Sequence, residues 1–316
     1  MSYLVKKKKN EETYVSFVKK ISFMGKNFVI NKHIGKDSIM INKEKYILDN
    51  LSSISQEELD FRMKFLNNSS LSYNEELPKL IELKSINVNN LIEGKKCKAL
   101  IDSEFAKEFI FNSNNIEGSK IPSDKVKEII ETGDTKYHNR NEVKEVKNSI
   151  LAFEYLQRSF NFNISSIKRL YNILTKDLMM DGKIHYPKGF KKIANIVGNS
   201  QTTPPEKVEE DLKNLLIWYK NNKNKIHPLI LAFDFHRKYE FIHPFQDGNG
   251  RTGRLIMNKI LISSGYLPII VYKDNKLAYF NALETAREGN HKKYYQFMLE
   301  QADKTYNFLL DTIKRY

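Results

Sequence analysis

Apolar positions recur every second residue in the first fifty residues and at helical spacing over most of the remaining chain. The stretches TYVSFVKK, KNFVINKH and DSIMIN, between Thr13 and Asn42, read as short strands, with Gly25 and Gly35 marking turns. From about Ser52 the period lengthens. SQEELDFRMKFL opens with polar and acidic residues, as a helix start does. NEELPKLIELKSINVNNLI continues as helix, with Pro78 marking a break or a first turn. In DSEFAKEFIFNSNNIEGSKI the residues Phe105, Phe109, Ile110 and Ile116 share a helical face, and Gly118 suits the helix C-terminus. SDKVKEIIET, with Ser123 or Asp124 as its cap, precedes two strongly amphipathic helices over NEVKEVKNSILAFEYLQRSF and SSIKRLYNILTKDLM. DGKIHYPKGFKKIANIVGNSQTTPP breaks the pattern and reads as a hairpin or flap around KIANIV. Pro205 then opens another helix. PLILAFDFHRKYEFI and RTGRLIMNKILISSG are apolar helices, and the chain after Tyr279 makes two more.

The pattern therefore predicts a mainly α protein with a small β-rich N-terminal region over 1–50, connecting helices over 51–100 and a helical domain over 101–316. No repeat of 20–50 residues is present. No apolar run approaches the ~18 residues of a membrane span, and MSYLVKKKKNEE lacks the apolar centre of a secretory signal. Cys97 is the sole cysteine, so the chain forms no internal disulfide. These features predict a cytoplasmic protein with no membrane partner.

The net charge of +14 invites a nucleic-acid reading. Only nine of the 52 basic residues are arginines, however, and the lysines are scattered along every segment. Scattered lysines solvate a surface, whereas arginine is the better phosphate fork. A non-catalytic, nucleic-acid-binding regulator is thus the weaker reading. It predicts salt-sensitive DNA binding and no group transfer.

Two of the nine arginines fall within HPFQDGNGRTGR, His243 to Arg254. This stretch lies between two apolar helices, the second beginning near Asn249 or Gly250. A helix N-terminus offers free N–H groups and the positive end of a dipole to an anion. Gly248 and Gly250 let backbone approach a ligand. Arg251 and Arg254, three apart, share one face and suit a polyphosphate. Asp247 is positioned to hold Mg²⁺ on phosphates, and Asn249 can donate to a phosphate oxygen. His243 can accept a proton at neutral pH. The set reads as a metal site, a phosphate cradle and a base for an attacking hydroxyl. Gly248, Gly250 and Gly253 also spell GxGxxG, but a helix precedes them, not the strand a dinucleotide fold requires. His227 reads as a helix-start residue and His236 as a packed histidine.

HPFQDGNGRTGR resembles the Fic family signature HPFx[D/E]GNGRxxR at every defined position, and the similarity extends from about Phe105 to the C-terminus. The resemblance implies a Fic-type helical core with a β-hairpin flap. It implies a protein adenylyltransferase that moves AMP from ATP to a Ser, Thr or Tyr hydroxyl and releases pyrophosphate. His243 is then the base, Asp247 the Mg²⁺ ligand, and Asn249 with the backbone at Gly248 and Gly250 the anion hole. Arg251 takes the β-phosphate region and Arg254 the γ-phosphate. Tyr279, Phe280 and Leu283 match adenine-pocket positions, where plain apolar packing is the competing account. The target protein would dock at the flap near Ile193–Val197, and self-modification and a homodimer are both compatible. Gly250 sets the chain apart from Doc-type kinases, which carry Lys there. Gly248 sets it apart from the phosphocholine-transferring branch, which carries Ala.

SNNIEGS, Ser113 to Ser119, resembles the family's inhibitory motif [S/T]xxxE[G/N], with Ser113, Glu117 and Gly118 at the defined positions. A decoy at Ile92–Gly94 has Asn89 in place of Ser or Thr. The resemblance implies an inhibitory helix at about 102–117 whose Glu117 pairs with Arg254. Removal of AMP from a modified protein, alone or beside transfer, is the alternative activity. Two departures bear on the site. KGFKK offers Lys191 or Lys192 where the family often has Arg, and Arg287 and Asn290 stand where Asn and Asp are common, which leaves base selectivity open.

Overall fold

The computed structural model describes residues 2–37, 41–66, 71–74, 76–180, 184–198 and 200–316. The chain divides into two compact units: Met1–Asp102 with Asp303–Tyr316, and Ser103–Ala302.

The first unit opens with an antiparallel sheet of β1 (Ser2–Lys9), β2 (Glu12–Phe23) and β3 (Lys26–Lys36). Two-residue turns join them, at Asn10–Glu11 and Met24–Gly25, and all four residues have positive φ. Such turns match the twist of the strands they connect. Strand β1 was not expected, because VKKKK has no alternation; its register against β2, from Ser2↔Lys19 to Lys9↔Glu12, is what makes it a strand. Gly35 is also not the turn its composition suggests. It sits inside β3 at φ 140°, opposite a register shift between Val15 and Ser16, and so belongs to a bulge. Of DSIMIN, residues 38–40 lie outside the described residues; Asn42 caps α1 (Lys43–Asp49), its Oδ1 accepting from Lys45 N at 2.8 Å.

Alternation along β2 buries Val15, Phe17, Ile21 and Phe23 on one face. Helices α2 (Leu51–Arg62) and α3 (Glu76–Lys95) contribute Ile54, Leu59, Ile81 and Ile86 to the same core. Lys19 is buried too, and its ammonium pairs with Glu58, which also receives Arg62. Buried ions persist only when paired in this way. The end of the last helix joins this unit through Lys84–Asp303 and through Lys95 Nζ to the Ile313 carbonyl at 3.0 Å.

The second unit is helical: α4 (Lys98–Ile116) from Ser103 onward, α5 (Ser123–Thr132), α6 (Arg140–Arg158), α7 (Ile164–Leu174), α8 (Val208–Asn222), α9 (Pro228–Ile242), α10 (Asn249–Ser263), α11 (Lys276–Arg287) and α12 (His291–Arg315) as far as Ala302. Asn139 and Asn163 cap α6 and α7 through their side chains. Helix α5 is entered through Pro122, without the expected side-chain cap from Ser123 or Asp124. Helix α9 is buried on nearly every side, with Asp234, His236, Arg237 and Glu240 buried among its apolar residues, and packs on α10. Two short hairpins interrupt the helices, β4 (Met179–Met180) with β5 (Ile184–His185) and β6 (Ile196–Val197) with β7 (Ser200–Gln201). The mainly helical architecture with an N-terminal sheet and a small hairpin is the one expected. The paired part of KIANIV is only its last two residues.

Candidate active site

Helix α9 ends where His243 adopts a left-handed conformation, φ 51° and ψ 64°, and Pro244 follows. The chain then turns through five residues and enters α10 at Gly248, φ 75°. That φ, more than any lack of space, asks for glycine, since the nearest atoms to an added Cβ are 3.6 Å away. Asn249 braces the turn: its Oδ1 accepts from Phe245 N and its Nδ2 donates to Phe245 O, both at 2.9 Å. The Phe245 ring stacks on Tyr171 with centroids 3.8 Å apart. One bond to Oδ1 and one from Nδ2 thus go to the loop itself, and the side chain is 1% exposed.

The two arginines of the first turn are buried and differently employed. Arg254 Nη2 donates to Glu117 Oε1 at 2.7 Å and to the Ser113 carbonyl at 2.8 Å, and its Nε donates to Ser113 Oγ at 3.1 Å. Its Nη1 is buried without a hydrogen-bond partner. Arg251 reaches Glu145 Oε1 at 3.3 Å and the Tyr186 hydroxyl at 3.2 Å, and its Nε is also unpartnered. Tyr186 in turn donates to Asp247 Oδ2 at 3.0 Å, and Asp247 Oδ1 accepts from the Gly248 amide. Ser113 lies in the last turn of α4 and Glu117 just past its end, followed by Gly118 at φ 109°. The Glu117 carboxylate is seated against Gly250, where any added Cβ would collide with its Oε1 and lie 2.8 Å from Arg254 Nη1.

His243, Gly250, Arg254 and Glu117 line one cavity of about 440 Å³. Tyr279, Phe280 and Leu283 of α11 form another part of its wall, with Glu284 and Arg287 beyond them. Tyr279 is buried, and its hydroxyl meets His236 Nε2 at 2.7 Å; Phe280 is 39% exposed. Asp247, Gly248, Asn249 and Arg251 are not in that wall. His236 is fully buried, as a packed histidine should be.

Burial controls the protonation of this region. It pushes His243 down to about 4, with the Lys191 charge adding to the effect, so the imidazole is neutral at pH 7. Burial likewise lowers His236 to about 3. It lowers Lys191 to about 8. Of Lys191 and Lys192 in KGFKK, Lys191 is the buried one. Its Nζ donates to Asn195 Oδ1 at 2.8 Å, Thr202 Oγ1 at 2.6 Å and the Ile242 carbonyl at 3.2 Å, tying the hairpin to the end of α9. Glu145 is raised by burial despite Arg251. The sequence reading missed Glu145, Tyr186 and Glu240, which are distant in the chain or hidden on an apolar helix. Only Glu240 left a signal, one helical turn before His243 on the same face.

The protein-family model for the Fic/DOC family matches residues 161–261, from just before α7 to within α10 and including the whole His243–Arg254 loop. Over those residues the chain is similar to the Fic/DOC family. Its Fic region is 29% identical over 214 residues to a protein adenylyltransferase Fic of Drosophila mojavensis, covering 64% of this chain and 41% of that protein. The corresponding protein of Drosophila grimshawi gives 29% identity, 64% and 42%. The match thus spans about two-fifths of the length of these relatives. Among solved structures, a Fic-domain signaling protein from Bacteroides thetaiotaomicron superposes with a TM-score of 0.66 at 22% identity, over 76% of this chain and 97% of that one. A Fic family protein from Desulfovibrio desulfuricans gives a TM-score of 0.57 at 22% identity, over 87% and 76%. These likenesses concern the fold.

Proposed function

We propose that this chain is a protein adenylyltransferase of the Fic family, moving AMP from ATP to a Ser, Thr or Tyr hydroxyl of a target protein or of itself. One observation carries the reading. A neutral imidazole, the N-terminal turn of a helix and a buried guanidinium with an unsatisfied Nη1 all line one cavity of the size of a small-molecule site. An anion is what satisfies those donors. The names of the curated relatives support the same activity.

In this reading the target hydroxyl oxygen attacks the α-phosphorus in line, a new P–O ester bond forms, and the bond to the leaving pyrophosphate breaks. The hydroxyl proton passes to His243, which burial keeps neutral and able to accept it. Arg254 would bind the terminal phosphate once released from Glu117, and Arg251 the phosphate before it. The base would lie against Tyr279, Phe280 and Leu283. Asp247 fits an Mg²⁺ ion. Its carboxylate is half-buried and each oxygen has only one hydrogen bond, and magnesium bound to phosphates needs only one or two protein carboxylates. When bound, it would neutralise charge on the α- and β-phosphates. The backbone of the β6–β7 hairpin, which carries the exposed Ile196 and follows the exposed Ile193, is the surface we assign to the target. We assign the protein to the cytoplasm on its single cysteine, Cys97.

The contact between Glu117 and Arg254 supports a resting state in which α4 and the residue after it hold the enzyme back. Glu117 occupies the fork that the terminal phosphate needs, so ATP binds with its α-phosphate out of line. The test is incubation of wild type, Glu117→Gly and His243→Ala with Mg²⁺ and ATP labelled at the α- or γ-phosphate. Protein label from α alone, dependent on His243, is expected. Label from γ would instead identify a kinase. Release of AMP from a pre-modified protein in the same series would identify the removal activity.

A further inference from the structure

Glu240 is a buried carboxyl that the transfer reading leaves without a task. It lies on α9 one turn before His243, is 7% exposed and lines the cavity. Its Oε2 is 3.8 Å from His243 Nδ1 and its Oε1 is 3.9 Å from His236 Nδ1. Both nitrogens are buried without a side-chain hydrogen-bond partner, the His243 ring facing the Glu240 backbone and the His236 ring the Gly253 backbone, and Glu240 Oε1 is buried without a partner. An unsatisfied buried carboxyl oxygen costs on the order of 1–3 kcal/mol, so its place beside two ring nitrogens calls for a functional account. Room for that carboxyl is kept by Gly253, where a Cβ would fall 2.6 Å from Oε1.

We propose that Glu240 is a positioning residue that sets the tautomer of His243, its carboxylate accepting from Nδ1–H so that Nε2 is the nitrogen left to take the hydroxyl proton. This rests on His243 being the base of the proposed transfer. A neutral imidazole carries one proton, and the partner of one ring nitrogen decides which nitrogen is free. An ionised Glu240 can only accept, which places the proton on Nδ1. A protonated Glu240 can donate to Nδ1, which places the ring proton on Nε2 and leaves no base facing the hydroxyl. As His243 takes up the hydroxyl proton it becomes an imidazolium in a buried site. Glu240 is the carboxylate within 4 Å of it among the described residues. Its charge offsets the one that forms.

The surroundings decide which form rests. Facing Glu240 are Glu117 from beside α4, His236 and Tyr239 on its own helix, His243 at the helix end, Arg254 from α10, and Tyr279 and Arg287 from α11, with Lys191 facing His243. Burial raises Glu240 to about 8, Arg254 opposes this, Glu117 adds to it and Arg287 opposes it. With Glu117 in place the carboxyl is protonated at neutral pH. Withdrawal of Glu117 removes one cause of the rise, while burial, the larger cause, stays; it shifts Glu240 toward the ionised form, with the proton going to solvent, and the imidazole toward its accepting tautomer. The same glutamate would then hold back both the phosphate fork and the base.

The test is ¹⁵N NMR of the histidine rings in the full chain, with His243→Ala used to assign the His243 signals. Glu117→Gly is expected to show the Nδ1–H form. Adding Glu240→Gln or Glu240→Ala to it should shift His243 toward the Nε2–H form. AMP transfer should slow by about 10²-fold, the scale of a misplaced general base, with ATP affinity by calorimetry held within about twofold. The acid limb of the pH–rate profile should move to lower pH in Glu240→Gln. Unchanged ring signals in both variants overturn the proposal and leave the Glu240 backbone carbonyl as the orienting group. A slower rate with an unchanged tautomer overturns it as well. Because Gln is isosteric with the protonated carboxyl, its melting curve separates misfolding from the effect sought. If His243→Ala still transfers AMP the base reading fails, while the ring signals score Glu240 independently of activity.

Discussion

Replacing Glu117 by glycine removes the carboxylate that holds Arg254, and the size of the effect can be worked from the geometry. The contact is 2.7 Å long, between a guanidinium 1% exposed and a carboxylate 25% exposed. Charge-assisted hydrogen bonds contribute ~1.5–3 kcal/mol, and the partial exposure of Glu117 places this one near ~1.5–2 kcal/mol. At ~1.4 kcal/mol per tenfold, freeing the fork should raise AMP transfer by about 10- to 30-fold. Glycine is tolerated there because residue 117 lies just past the end of α4. The two bonds from Arg254 to Ser113 remain and keep the guanidinium oriented. The assay is protein label from α-labelled ATP at fixed time, with ATP affinity measured by calorimetry. Glu117→Gln serves as the control, because it keeps the bulk over Gly250 and loses the charge. If glycine activates and glutamine does not, bulk is the brake; if both activate, charge pairing is. A Glu117→Gly protein that binds ATP yet takes up no more label than wild type would refute the reasoning.

Three further outcomes are expected. Gly250→Ala places a methyl against Glu117 Oε1 and Arg254 Nη1; it should destabilise by roughly 1–3 kcal/mol and weaken ATP binding, read by melting and calorimetry. His236 and His243 are both held well below 6.5 by burial, so the folded state disfavours their charged forms. Their contribution to stability is complete above about pH 6.5 and is lost as pH falls through about 4 and then about 3, and His236→Gln should flatten part of that decline in Tm. Lys191→Met leaves Asn195 and Thr202 without their shared donor, so hydrogen exchange over residues 195–203 should quicken by at least about tenfold while α9 and α10 keep their protection.

Where the sequence was legible, a local rule was at work. Helix α9, helix α10 and the turn between them arise from an apolar-rich stretch, a histidine–proline stop and a glycine, Gly248, where φ is positive. Each of these acts within a few residues. Strand β1 was not legible, because four consecutive lysines carry no alternation and become a strand only by pairing with β2. Lys191 and Lys192 were equivalent on paper; the fold buries one among three acceptors and leaves its neighbour exposed. Asn249 stood out only by its neighbours, and the fold shows that its side chain closes the loop that presents them.

The sequence by itself determined the chemistry on offer: a histidine, an aspartate and two arginines around a glycine-rich helix start, with a serine and a glutamate four apart upstream. Periodicity and spacing are properties of the chain and survive without coordinates. The tertiary structure alone decided which of these groups meet. Arg254 and Glu117 are 137 residues apart and 2.7 Å distant. Tyr186 links Arg251 to Asp247, and Glu240 lies among two histidines and a buried arginine. Pairing and burial depend on what the rest of the chain packs against a side chain, and they set its charge. No local pattern contains that information.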